Sequence, residues 1–189
     1  MRSLLLVLVV VCSLLVSGCA AVLLGGAGAG VMAAEDRRTL GTITEDQGIE
    51  SRIYNTIAER HKDERVHVNV TSYNRMVLLT GEVPSEEVKR DVDRIAHATL
   101  NVRGVTNELI VGPPTTLSSR ANDGYITSKV KARFVDAQRF NAVHVKVVTE
   151  NQVVYLLGLV SAQEGKDAAA IARTTEGVKK VVTVFEPLG

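Results

Sequence analysis

The sequence has little cysteine, and its positive and negative charges balance. These two features argue against a disulfide-stabilised fold and against binding of nucleic acid through overall charge. Its two cysteines, Cys12 and Cys19, both lie near the start. No disulfide framework can therefore hold the rest of the chain, which must fold by burying apolar side chains. Once Arg2 is lost with a leader peptide, the basic side chains fall one below the 22 of the full chain and equal the 21 acidic ones. A neutral chain is not expected to bind nucleic acid through its overall charge.

Charge is also missing locally, because no charged residue occurs between Leu4 and Ala34. Arg2, an apolar run from Leu4 to Val16 and the small residues that follow it are typical of a secretory signal peptide. A transmembrane helix is the alternative, since the uncharged stretch is longer than the ~20 residues that a bilayer requires. Four glycines between positions 25 and 30 make its second half a poor helix, so we favour the signal peptide.

The end of this leader, Val16-Ser17-Gly18-Cys19, resembles the lipobox of bacterial lipoproteins. The resemblance implies cleavage before Cys19, a diacylglyceryl group on its thiol and acylation of the new amine. Ala20, rather than an aspartate, follows the cysteine, which implies sorting to the outer membrane. The glycine-rich segment that follows is then a flexible tether beside the anchor. Apart from this covalent lipid, we expect no cofactor.

An internal repeat organises the remainder of the chain. At an offset of 77 residues, Asp46 falls on Asp123 and Gly81 on Gly158, and many apolar positions match without a gap. Each copy begins with a segment whose apolar residues recur at helical spacing. A strand of alternating apolar and polar residues follows, then a strand of consecutive apolar residues, a second helix and a last strand. Ser85 is an N-cap candidate for the second helix. Right-handed crossovers predict that the second and third strands run parallel.

The predicted fold class is therefore α+β, with two tandem α-β-β-α-β domains, each with two helices packed on a three-stranded mixed sheet. Gly112-Pro113-Pro114 marks a short linker, so the domains should lie close together. Because each copy is small enough for burial to be marginal, we expect the domains to pack against one another through the outer face of one or both sheets. The residues expected there are Met76, Leu78, Val153, Tyr155 and Leu157. The predicted ranges are signal peptide 1–18, tether 19–45, domain one 46–112, linker 113–118 and domain two 119–189.

A lipobox followed by two such units resembles the dual BON-domain outer-membrane lipoproteins, of the DolP or YraP type. The resemblance rests on five segments, 36–42, 78–83, 121–127, 145–151 and 157–160. It implies a lipid-anchored outer-membrane protein that faces the periplasm, binds anionic phospholipid, notably phosphatidylglycerol, through domain two, concentrates at division sites and supports envelope integrity.

The first helix of domain two offers independent grounds for a lipid-binding face. Ile126, Val130 and Phe134 recur every four residues and predict the face that packs in the core. Because successive residues on a helix are separated by 100°, a second face lies on the opposite side. An apolar strip edged by lysines is what binding to an anionic membrane surface requires. The predicted phospholipid-binding residues are Tyr125, Ser128, Lys129, Lys131, Ala132 and Val135.

Catalytic and metal sites are not predicted. No nucleophile elbow or other catalytic spacing surrounds the serine, histidine and aspartate residues, and we expect no enzyme. His67 and His144 occupy equivalent places in the two copies, but each alternates with valines and is expected to face solvent. The leading function is that of a monomeric lipid-binding envelope module. The alternative is an adaptor that docks on the outer-membrane protein assembly machinery through a sheet edge or the surface of domain one.

Overall fold

The computed structural model describes residues 36–188. The predicted signal peptide, Cys19 and most of the predicted tether lie outside these residues. Within the described range, no helix has both the length and the apolar character needed to span a membrane. All the elements below belong to one compact unit that starts at Arg37.

Both copies have the predicted order of elements. Domain one consists of α1 (Leu40–Arg60), β1 (His67–Tyr73), β2 (Met76–Val83), α2 (Glu86–Ala98), β3 (Gly104–Asn107) and a two-residue strand, β4 (Ile110–Val111). Domain two consists of α3 (Leu117–Ala137), β5 (Lys146–Glu150), β6 (Val153–Val160), α4 (Ala162–Arg173) and β7 (Lys180–Pro187), with a short 3-10 helix (Ala142–His144) before β5. Thr39 and Thr116 are the N-caps of helices α1 and α3, and their side-chain oxygens accept hydrogen bonds from the backbone amides of Thr42 and Ser119. Both helices start within the stretches predicted as tether and linker.

The two sheets have the same topology. In domain one, β2 is central, antiparallel to β1 and parallel to both β3 and β4. In domain two, β6 is antiparallel to β5 and parallel to β7. The predicted α+β class and the parallel pairing of the second and third strands are thus confirmed.

The repeated glycine in the central strand has a steric explanation. A Cβ on Gly81 would lie 2.1 Å from the carbonyl oxygen of His67, and one on Gly158 would lie 2.4 Å from that of His144. Only glycine allows the preceding segment to approach the strand this closely. The residue therefore recurs at the 77-residue offset because both sheets need the same close contact.

A buried aspartate on the first helix fixes the hairpin turn of each domain. Asp46 accepts hydrogen bonds from the amides of Asn74 and Arg75 at 2.8 and 2.7 Å. Asp123 accepts equivalent bonds from Asn151 and Gln152, both at 2.8 Å. All four turn residues have positive φ, as a two-residue type I′ hairpin turn requires. The repeated aspartates are therefore structural.

The two sheets pack face to face, as expected, and the helices lie on the outer sides. We call this contact the seam. Tyr73 and Leu78 of domain one meet Tyr155 and Leu157 of domain two there, and all four are at most 3% exposed. Burial raises the pKa of Tyr155 to about 12. Because the seam uses the sheet faces opposite the helices, it leaves the outer surfaces of α1 and α3 uncovered.

The segment before α1 ties domain one to domain two. The Arg37 guanidinium donates to both carboxylate oxygens of Glu164 at 2.8 Å and to the carbonyl oxygen of Leu159 at 2.7 Å. The hydrogen bond from Arg37 lowers the pKa of Glu164 to about 2. Bidentate pairs of this kind combine charge with fixed geometry, so Arg37 links the domains beyond the edge of the seam.

Candidate functional site

The outer face of α3 carries a continuous row of exposed small and apolar side chains. The inner face is fixed by Ile126, Val130 and Phe134, each at most 1% exposed and packed in the core of domain two. On the opposite side, Tyr125 is 62% exposed and Val135 is 61% exposed. Both predicted faces therefore exist, although contact of the outer one with lipid stays a prediction.

The row is longer than the sequence analysis predicted. Leu117, in the first turn of α3, is 80% exposed and continues the helical spacing through Ala121. The helix begins at Leu117, so its first two residues lie in the predicted linker 113–118 and not in the predicted second domain. The Thr116 N-cap was the signal that could have revealed this start. We call the whole set the α3 stripe: Leu117, Ala121, Tyr125, Ser128, Ala132 and Val135.

The stripe has length as well as exposure. From Leu117 to Val135 it spans about 27 Å at 1.5 Å per residue. Every member is exposed to solvent. A helix that presents such a row can contact a flat surface along one side.

Two lysines border the stripe. The ammonium group of Lys129 lies 4.6 Å from the centre of the Tyr125 ring, a cation–π contact, and 3.6 Å from a carboxylate oxygen of Glu176. Lys131 is exposed on the same helix. The border therefore carries two lysines, one of which contacts the aromatic ring, together with the carboxylates of Glu176 and of the exposed Asp136.

Arg133, a further basic residue of α3, does not border the stripe. Its guanidinium donates to the carbonyl oxygen of Ile171 at 3.1 Å and to the hydroxyls of Thr174 and Thr175 at 3.0 and 2.9 Å. A cation at this position satisfies groups at the C-terminal end of α4. Arg133 is therefore a packing residue.

The corresponding face of α1 differs. At the 77-residue offset, the stripe positions hold Leu40, Thr44, Gly48, Ser51, Asn55 and Ala58. Leu40 is exposed like its counterpart, but nothing matches Tyr125 or Val135. The exposed aromatic of α1, Tyr54 (60% exposed), takes the place of Lys131 instead. Only the second domain combines an aromatic, a valine and a basic edge along one line.

A cluster of polar residues lies in the seam. One of its members is His67, which was expected to face solvent. Its side chain is instead only 20% exposed, and its Nδ1 lies 3.1 Å from Oε2 of Glu82. The prediction was wrong because the sheet face opposite the helices meets the other domain rather than water. His144 is also half-buried, and it lies in the 3-10 helix, 3.8 Å from Glu164.

Glu150 completes this cluster from the other domain. It is 6% exposed and accepts a hydrogen bond of 2.6 Å from the side-chain amide of Asn69. Burial raises the pKa of Glu150, and the nearby negative charge of Glu82 adds to the effect. Neither glutamate has a glutamate at its repeat position, where Leu159 and Tyr73 stand. The cluster forms only where the two copies meet.

Comparison with known proteins identifies the fold family. The BON domain family matches residues 45–113 and 122–186, and these two segments correspond to the two sheets with their helices. The chain belongs to the BON-domain family. The two matches confirm the tandem arrangement that the repeat predicted.

Its relatives include proteins of similar length. It is 38% identical over 181 residues to the outer membrane lipoprotein DolP of Haemophilus influenzae, covering 93% of this chain and 92% of that protein. It is 32% identical to the 21 kDa hemolysin of Actinobacillus pleuropneumoniae (79% and 78% covered) and 27% identical to the osmotically-inducible protein Y of Escherichia coli (75% and 72% covered). The predicted resemblance to the DolP type is confirmed.

Proposed function

We propose that this BON protein is an outer-membrane lipoprotein, anchored through Cys19 and facing the periplasm, whose second domain binds anionic phospholipid through the α3 stripe. In this proposal the lipid is of the phosphatidylglycerol type, and the protein supports envelope integrity at division sites. The observation that carries the proposal is the exposed stripe itself, with lysines on its border, on a helix that the seam leaves uncovered.

The physical basis is interfacial binding. An amphipathic helix can bury its outer apolar side chains about 5–10 Å into the headgroup region while its basic border meets lipid phosphates. Each lysine near an anionic surface contributes about 1 kcal/mol. Tyrosine suits this boundary because its ring prefers the apolar side and its hydroxyl prefers water. The lipid anchor would hold the domain beside the membrane, so weak individual contacts become effective.

Vesicle flotation tests the proposal. The mature chain, with Cys19 replaced by Ala so that it carries no acyl group, is floated with phosphatidylglycerol vesicles. We expect Tyr125→Glu to lower the bound fraction about ten-fold, because it removes an inserting ring and places a negative charge against the anionic surface.

Tyr54→Glu provides a matched control, since Tyr54 is an equally exposed tyrosine on the first helix of domain one. It should float like the unsubstituted protein. If Tyr125→Glu binds as well as Tyr54→Glu, or if both lose binding equally, the α3 stripe is not the lipid-binding face.

One observation favours the adaptor function as a second candidate. Ile110 and Val111 form the edge strand β4 and are 47% and 40% exposed. An apolar edge strand offers backbone groups to a partner strand. A protein captured from solubilised outer membranes that survives Tyr125→Glu and Lys129→Glu but is lost with Ile110→Lys would support docking on assembly machinery through this edge.

A further inference from the structure

The polar cluster in the seam brings together three side chains that can ligate a metal. His67 and Glu82 are directly paired across β1 and β2, so both project from the same face of the sheet. Glu150 comes from the end of β5 in the other domain. One ligand atom from each of the three lies within 4.8 Å of the other two.

The cluster contains a buried oxygen that nothing in residues 36–188 satisfies. Glu82 is 3% exposed, and its Oε1 has no hydrogen-bond partner among these residues. Its other oxygen, Oε2, faces His67. A buried carboxylate oxygen without a donor is costly. A second buried carboxylate, that of Glu150, adds like charge beside it, so the arrangement calls for a cation.

Neighbouring groups hold both carboxylates in place. The amide of Asn69 donates to Oε2 of Glu150 at 2.6 Å, and the backbone N–H of Thr115 in the linker donates to Oε2 of Glu82 at 3.1 Å. Hydrogen bonds of this kind orient carboxylate ligands around metal ions. The ligand atoms are therefore positioned by residues of both domains and of the linker between them.

We propose that His67, Glu82 and Glu150 form a binding site for a divalent transition metal of the Zn²⁺ type, which joins the two BON domains across the seam. An imidazole nitrogen with two carboxylate oxygens is a ligand set for such ions, which bind at about 2.0–2.2 Å. Donors of one tetrahedral shell then lie roughly 3.4 Å apart. The His67–Glu82 pair already meets this spacing, and Glu150 closes the set with a small inward movement.

Such a metal would strengthen the packing of the two domains against each other. Two ligands belong to domain one and the third to domain two, so the ion stabilises the packed form over the separated one. The site lies on the opposite side of the second sheet from α3 and does not include the stripe. Its test is therefore independent of lipid binding.

The experiment uses the mature chain with Cys19→Ala, stripped of metal with a chelator and titrated with ZnSO4 alone. Calorimetry should show one equivalent bound per chain, and the thermal unfolding midpoint should rise by about 4 °C at saturation. In imidazole nitrogen spectra of the intact protein, the His67 signals should shift while those of the other three histidines stay in place.

Substitutions give the second readout. Glu150→Gln and His67→Gln should each weaken binding at least ten-fold, whereas His97→Gln, at an exposed histidine of α2, should bind like the parent protein. The proposal is overturned if no Zn²⁺ binds at 100-fold excess over the chain, if another histidine shifts instead of His67, or if both seam variants keep full affinity. Should a seam variant fail to fold, the His67 signals of the parent protein decide the matter.

Discussion

The two BON domains share their buried halves and differ on their exposed ones. The inner faces of α1 and α3 carry matching triplets that are at most 5% exposed, namely Ile49, Ile53, Ile57 and Ile126, Val130, Phe134. Their outer faces share only a first-turn leucine and small residues. Packing against a sheet constrains the inner residues in both copies, whereas solvent-facing positions can change at little cost in stability. The two copies are therefore alike where their helices are buried and different where the helices are exposed.

The same comparison holds for the aspartates that fix the hairpin turns. Asp46 accepts four hydrogen bonds, because the Ser72 hydroxyl at 2.7 Å and the Arg38 guanidinium at 2.9 Å join the two turn amides. Asp123 accepts the two amide bonds alone among the bonds of the described residues. The same buried aspartate therefore makes twice as many hydrogen bonds in domain one as in domain two.

The largest expected effect is a loss of stability when either of these aspartates is replaced. Asp46→Ala should lower the free energy of unfolding by about 3 kcal/mol and Asp123→Ala by about 2 kcal/mol, since each buried donor left without a partner carries a penalty. Urea unfolding of the two variants measures both values. Equal losses would mean that the extra bonds of Asp46 contribute nothing, and the two turns would then be energetically equivalent.

A smaller effect should appear in acid and compares the ion pair of Arg37 and Glu164, which links the two domains, with an ion pair inside one loop. The pKa of Glu164 is lowered to about 2 from 4.5. Its stabilising contribution is therefore complete above about pH 4.5 and is lost as the pH falls toward 2. Arg37→Ala should reduce the loss of stability between pH 5 and pH 2.5, measured by urea midpoints.

Arg65→Ala is the control in domain one. Arg65 likewise lowers the pKa of Asp63 to about 2, but this pair is exposed and lies within one short loop. Solvent screening makes such pairs weak. If Arg65→Ala changes the acid dependence as much as Arg37→Ala does, the link between the Arg37 segment and domain two has no special importance for stability.

The smallest expected effect concerns the basic border. Lys131→Ala should weaken binding to phosphatidylglycerol vesicles by about 1 kcal/mol, roughly five-fold, and the difference should shrink as salt rises. Lys62→Ala, at an exposed lysine of domain one, should leave binding unchanged. Equal effects of the two substitutions would indicate attraction by overall charge rather than by the edge of α3.

Much of the fold could be predicted because periodic burial leaves a clear mark on the sequence. The 77-residue repeat, the core triplets and the apolar central strands gave the order of elements, and the Ser85 N-cap opens α2 as predicted. The outer position of Tyr125 and Val135 followed from helical geometry alone. These features depend on residues close together in the chain, whose spacing is visible without a structure.

Contacts between the copies could not be predicted in the same way. His67 alternates with valines as a solvent-facing residue would, because a strand shows which of its faces is packed on its own helices but not what covers the other. Arg133 is another example, because its guanidinium reaches the end of α4, a contact that the spacing along α3 does not indicate. Such features depend on partners distant in the sequence.

We propose that α3, and not α1, meets the membrane. The most direct measurement is a titration of phosphatidylglycerol micelles into the ¹⁵N-labelled mature chain with Cys19→Ala, followed through backbone amide signals. We expect shifts or broadening concentrated at Leu117, Tyr125, Ala132 and Val135, with the signals of Leu40, Ser51 and Ala58 unchanged. Changes that favour α1, or that are spread evenly over both helices, would contradict it.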